Sequence, residues 1–205
     1  MTDPLHKPNP IPNMLTAFRL VAGMIMFLLL AGAIMSAYLD PQDQFNLYKA
    51  AFVCFVLAAV TDYFDGYLAR RWHAESRWGA ILDPIADKIL IAGAIAGLLA
   101  SGTTGNLVIP FGLILFREFA VSALRETTAG RIELKVTVLA KWKTLLQMLA
   151  IGSQLLILAF GETFVEAPWM PTYAWAADTL VWIAALITIW TGWEYFAKAR
   201  EGLKE

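Results

Sequence analysis

Apolar residues in this chain come in long runs broken by short polar segments, and these runs set the expected fold. Leu20 to Ala37 gives 18 residues without a charge. At 1.5 Å of rise per residue, such a helix crosses a bilayer core of about 30 Å with a little help at its ends. Asn13 is placed to cap it, and the helix then runs through Leu15, Phe18 and Leu20 to Tyr38. Five more runs follow, over Asn46–Arg70, Gly79–Ala100, Asn106–Thr127, Trp142–Phe160 and Tyr173–Lys198. The connections are short, with no internal repeat and no low-complexity linker. The pattern predicts an all-α, polytopic integral membrane protein with six transmembrane helices. One membrane domain spans 13–205, after an N-terminal cytoplasmic or interfacial segment at 1–12 that holds Pro4, Pro8, Pro10 and Pro12. A cleaved signal peptide fits less well, because the basic flank is weak and further spans follow.

Composition supports the same class. The chain is 59% hydrophobic and 16% charged, with a mean hydropathy of +0.58, whereas a soluble domain is about half apolar and about a quarter charged. A net charge of -1 gives no electrostatic case for a nucleic-acid partner. Cys54, the single cysteine, lies in an apolar run, cannot form an internal disulfide and reads as a packing residue.

Charge position then orients the chain. With six spans and both termini on one side, that side receives every one of the 16 lysines and arginines except Lys49. The bias places the termini and the 71–78 and 128–141 loops in the cytoplasm. The opposite loops carry Asp40, Asp43, Glu162 and Glu166. Trp72, Trp78, Trp142, Trp169 and Trp175 fall near span ends, where an aromatic belt places them.

Four carboxylates break the apolar pattern from within. Asp62 and Asp65 are three apart on one span, with Gly66 and Ala69 continuing their face; Gly79, Asp83 and Asp87 step by four on the next. Two helices joined by a short loop run antiparallel and can bring all four acids together. Asp87 lies about 12 Å along its helix from Gly79, which puts the cluster in the cytoplasmic leaflet below the headgroups. Charged and unpaired there, the acids repel one another and face a low dielectric. A divalent cation, or two, is the simplest remedy, and all-oxygen ligands point to Mg²⁺ or Mn²⁺ rather than zinc. An ion pair with Arg70 or Lys88 leaves four acids against two bases. A cation pathway favours midplane sites on broken helices, whereas these acids lie off-centre.

These residues match a family signature, D-x2-D-G-x2-A-R-x8-G-x3-D-x3-D, at Asp62, Asp65, Gly66, Ala69, Arg70, Gly79, Asp83 and Asp87, without a gap. The chain resembles the CDP-alcohol phosphotransferases on that ground. Looser likeness at Ile11–Arg19, Phe116–Glu126 and Ala140–Met148 is to the branch that uses sn-glycerol 3-phosphate as acceptor. The resemblance implies six membrane helices around a cytoplasm-facing site, usually in a homodimer, and a bacterial plasma (inner) membrane as its location. It implies transfer of the phosphatidyl group from CDP-diacylglycerol to glycerol 3-phosphate with release of CMP. Another alcohol, inositol phosphate or serine, is the alternative within the family, and a cation transporter the alternative outside it.

On the same resemblance, Asp62, Asp65, Asp83 and Asp87 would hold two ions of Mg²⁺ or Mn²⁺, with Asp87 also the general base on the glycerol hydroxyl. CDP-diacylglycerol would be met by Asp62, Gly66, Ala69, Arg70, Ser76 and Gly79, with Asn13, Thr16 and Arg19 closing the nucleotide side. Glycerol phosphate brings a dianion that needs cations, and Arg117, Arg125, Lys141, Lys143 and Arg19 are the candidates. Arg117 and Arg125 are eight apart and so share a helix face. Arg117 lies about ten residues before its helix end, deeper than a topological charge requires.

Overall fold

The computed structural model describes residues 11–36, 40–72, 77–128 and 138–202, with side chains placed at 14–36, 40, 42–62, 82–127 and 142–200. Helices are the only regular elements among them: α1 (Ile11–Ser36), α2 (Pro41–Trp72), α3 (Arg77–Ala100), α4 (Val108–Thr128), α5 (Val138–Phe160) and α6 (Met170–Gly202), with one 3-10 turn at Gly105–Leu107. Five stretches among the described residues are long and apolar enough to cross a membrane: Met14–Ser36, Gln42–Asp62, Gly105–Thr127, Trp142–Phe160 and Met170–Arg200. The described part of α3 is apolar but carries three charges, Asp83, Asp87 and Lys88, within one span's length, which sets it apart from those five.

Helix starts depart from the hydropathy pattern where local chemistry overrides it. α2 begins at Pro41, five residues before the expected Asn46. Asp40 Oδ1 accepts from the Gln42 amide at 2.8 Å, so Asp40 caps the helix and Pro41 occupies the first turn, where a missing N–H costs nothing. α1 is already helical at Ile11, so Asn13 lies inside its first turn rather than capping it. Pro84 sits within α3, directly after Asp83, and cannot donate to the carbonyl one turn back.

The chain forms two compact units, Met1–Ala100 and Ser101–Glu205. In the first, α1 packs on both α2 and α3. Its inner stripe is Thr16, Arg19, Ala22, Met26, Leu30 and Ala33, all buried at three- and four-residue steps. α3 answers with Ala86, Leu90, Ala94 and Leu98. Glycines let the backbones approach: a Cβ on Gly97 would stand 2.8 Å from Leu30 Cβ, while one on Gly23 would stand 3.5 Å from Leu90 Cα.

The second unit is organised on α6, which packs against α4 and α5. Ala177, Val181, Ala184, Ala185, Thr188, Thr191, Tyr195 and Ala199 form its buried stripe. At one end Asp178 accepts from Asn106 Nδ2 and Gln154 Nε2, each at 2.8 Å, tying the 3-10 turn and α5 to α6. Large apolar side chains point outward in both units, among them Phe18, Leu28, Val53, Phe116, Trp190 and Trp193. Such an apolar exterior suits hydrocarbon rather than water.

The two glycine contacts give opposite expectations. Gly97→Ala forces its new methyl onto Leu30 Cβ, which no rotamer can move, so it lowers stability by about 1–3 kcal/mol despite alanine's better helix propensity. Gly23→Ala meets ordinary contact distances and leaves stability unchanged or slightly raised. Thermal unfolding in detergent, followed by tryptophan fluorescence, reads both; equal melting temperatures for the two variants would contradict this packing.

Candidate active site

Three helices of the first unit deliver charged groups to one place. Asp62 comes from α2, Asp83 and Asp87 from α3, and Thr16 and Arg19 from α1. Thr16 and Arg19 are three apart on the inner stripe of α1, and Asp83 and Asp87 are one turn apart on α3. Thr16 Oγ1 donates to Asp83 Oδ1 at 2.6 Å, and Arg19 Nη2 donates to the same oxygen at 2.8 Å. Arg19 Nη1 lies 3.1 Å from Asp87 Oδ1 and makes an ion pair with Asp62. The Arg19 side chain is 2% exposed, whereas the three carboxylates retain 35–46% exposure. The acids therefore keep access to the outside, with the guanidinium buried behind them.

The expected clustering of motif acids from two helices is present for Asp62, Asp83 and Asp87. Asp65, Gly66, Ala69 and Arg70 continue α2, Gly79 lies in the first turn of α3 and Asn13 in that of α1, but their side chains lie outside the described residues, as does Lys141. Ser76 lies outside them altogether. Thr16 joins the acids, next to the expected nucleotide side. Arg19, grouped from sequence both with the acceptor cations and with the nucleotide side, stands against the carboxylates.

The donor chemistry fits a hard divalent cation. Three carboxylates against one guanidinium leave a net charge of -2, which one such ion would balance, and all their donors are oxygen. Among the described residues no three acidic groups form a ready-made coordination shell. The carboxylates are drawn toward Arg19 instead. Asp62, Asp83 and Asp87 are the described residues that could hold a metal.

A second charged cluster lies inside the other unit. Glu118 on α4 pairs with Lys143 on α5 and with Arg117 Nη1 at 3.4 Å, and it accepts from Gln147 Nε2 at 3.1 Å. Arg117 Nε donates to the Thr188 carbonyl at 3.1 Å, and its Nη2 to Thr191 Oγ1 at 3.2 Å. Gln147 Nε2 also donates to Thr188 Oγ1 at 3.0 Å. A Cβ at Gly192 would stand 2.8 Å from Arg117 Cγ, so this glycine gives the arginine stem its path across α6. Arg125 donates to Tyr195 Oη at 2.7 Å and stacks on that ring at 4.8 Å; Arg117 lies 5.7 Å from the same ring. Arg117 and Arg125 thus share a face, as their spacing implied. A cavity of about 600 Å³ between α4 and α6 is walled by Phe116, Val121, Leu124, Trp193 and Phe196. It presents hydrocarbon next to Arg117.

Sequence reasoning did not find Glu118 as the hub, nor Gln147, Thr188, Thr191 and Tyr195 around it. Two signals were available. Lys143 and Gln147 are one turn apart, and Thr188, Thr191 and Tyr195 recur at three and four residues along the last apolar run.

Apolar helices of membrane-crossing length, with carboxylates clustered where three helices of the first unit meet, define an integral membrane protein with a polar site. The family model for CDP-alcohol phosphatidyltransferases matches residues 9–190. The chain is 41% identical to the CDP-diacylglycerol–glycerol-3-phosphate 3-phosphatidyltransferase of Cereibacter sphaeroides, over 95% of this chain and 97% of that protein. Proteins of the same name from Haemophilus influenzae and Escherichia coli K12 are each 35% identical over 94% of this chain, and over 95% and 96% of their own lengths. The chain belongs to the CDP-alcohol phosphatidyltransferase family.

The Glu118 cluster yields a direct test. The Lys143 and Glu118 side chains are 7% and 15% exposed, so Glu118→Gln strands a buried ammonium and costs about 3–5 kcal/mol, whereas the double change Glu118→Gln with Lys143→Met recovers most of that loss. Denaturation midpoints in detergent read the pair. A single-variant cost below about 1 kcal/mol would place the pair in solvent.

Proposed function

We propose that this protein transfers the phosphatidyl group of CDP-diacylglycerol to sn-glycerol 3-phosphate, giving phosphatidylglycerol phosphate and CMP. The observation that carries the reading is the convergence of the motif acids Asp62, Asp83 and Asp87 from two helices on one guanidinium, that of Arg19. The reaction itself is the one named for relatives that share nearly the whole chain.

The acceptor hydroxyl attacks the lipid-side phosphorus, a new P–O bond forms, and the P–O bond to CMP breaks. Asp87 takes the hydroxyl proton. A carboxylate is a weak base at neutral pH, so it needs a partner that acidifies the hydroxyl. Asp62, Asp65, Asp83 and Asp87 would hold two ions of Mg²⁺ or Mn²⁺, which would supply charge neutralisation for the diphosphate and for the departing phosphate. Gly66, Ala69 and Gly79 present backbone without bulk to the nucleotide, Arg70 meets the diphosphate, and Ser76, Asn13 and Thr16 close that side. Arg117, Arg125, Lys141 and Lys143 answer the dianionic phosphate of the acceptor. Arg117 and Lys143 do so from within the Glu118 network, as a fixed positive charge, while Arg125 is exposed.

The single six-helix domain over 13–205 would work as a homodimer in a bacterial inner membrane, with termini and active site cytoplasmic. The lysine and arginine bias supports that orientation, and six spans place both termini together.

Two measurements check the reading. Labelled CMP should be released from CDP-diacylglycerol only when glycerol 3-phosphate and Mg²⁺ or Mn²⁺ are both present, and EDTA should stop it. Release with inositol phosphate alone would overturn the acceptor assignment, and no release with any alcohol would overturn the enzyme reading. Asp87→Asn should lower kcat by about 10²- to 10⁴-fold while leaving CDP-diacylglycerol binding largely intact. Near-normal turnover in that variant would remove Asp87 from the role of base.

A further inference from the structure

We propose that Arg19 is a built-in competitor for the cation at the carboxylate cluster, holding the acids together in the metal-free protein and giving way as metal binds. The inference rests on the metal reading above but concerns a residue outside the family's acid motif. Arg19 meets all three described acids, with Nη1 against Asp62 and Asp87 and Nη2 on Asp83. It is one of the largest fully buried side chains of the unit. Without it, three carboxylates would face one another across apolar helices, each disfavouring the charge of the others.

The way Arg19 is held distinguishes it from a structural tie. Arg117 is fixed by directional bonds to the Thr188 carbonyl and the Thr191 hydroxyl. Among the described residues, Arg19 makes one aligned hydrogen bond, to Asp83, and its buried Nε and Nη1 make none. Nη1 is held by ion pairs with Asp62 and Asp87. Among the described residues the partners of the Arg19 guanidinium are thus all carboxylates, whereas those of Arg117 include neutral groups for which a metal ion does not compete. The carboxylate oxygens that Arg19 engages are the donors a divalent ion would need. Ion and guanidinium therefore exclude one another, by like charge and by competition for the same oxygens.

Arg19 on this account is a positioning residue. It keeps the α1–α2–α3 cluster folded when metal is scarce, at the expense of metal affinity. The test uses the purified full chain in detergent micelles, titrated with Mn²⁺ and followed by electron paramagnetic resonance of the free ion. Arg19→Gln should bind Mn²⁺ about tenfold or more tightly than wild type. In EDTA it should melt below wild type, with the gap closing at saturating Mn²⁺. Unchanged or weaker Mn²⁺ affinity in Arg19→Gln overturns the proposal. Should that variant fail to fold, Arg19→Lys serves, because one ammonium cannot span three carboxylates. It should tighten Mn²⁺ binding by less, and no tightening overturns the proposal. Wild-type protein that binds no Mn²⁺ overturns this inference together with the metal reading. Wild-type binding with no effect of either substitution overturns the role of Arg19 alone.

Discussion

A carboxylate within an apolar helix bundle keeps its charge only beside a cation, and the first unit of this protein is arranged around that constraint. Asp62, Asp83 and Asp87 meet at one place because α1 packs on both α2 and α3, and α1 carries the buried Arg19 that pairs with them. Gly97 allows α1 and α3 to come close enough for that meeting. One guanidinium offsets a single charge of three, and the remainder suits a divalent cation.

The second unit handles buried charge differently. Glu118 gathers Lys143, Gln147 and Arg117, and Arg117 is further tied to α6 through Thr188 and Thr191. Two cations share one acid, so the cluster keeps a positive surplus suited to a phosphate-bearing acceptor. Every member holds its neighbour in position, which gives the surplus a fixed location. Thus an acid surplus lies around one guanidinium in the first unit, and a positive surplus around one carboxylate in the second.

Much of this was legible in the sequence. Long apolar runs gave the six helices, and the steps of three and four among Asp62, Asp83 and Asp87 gave a shared face, because helical periodicity is a local property. The start of α2 was misplaced by five residues because hydropathy alone set it, although Asp40 and Pro41 spelled a cap and a first turn. The charge of Arg19 and its place on α1 beside Thr16 were legible, whereas its partners were not. Those partners lie on α2 and α3, brought to α1 by packing that no local pattern encodes. Glu118 was passed over for the same reason, since its contacts beyond Arg117 come from α5.

The central claim is that the acids of α2 and α3 form a cation site. Anomalous X-ray diffraction from crystals soaked in Mn²⁺ tests it most directly. The account predicts a peak bounded by Asp62, Asp83 and Asp87, with the Arg19 guanidinium withdrawn from their oxygens. Saturated crystals with no peak there, and Arg19 still seated on all three acids, would contradict it.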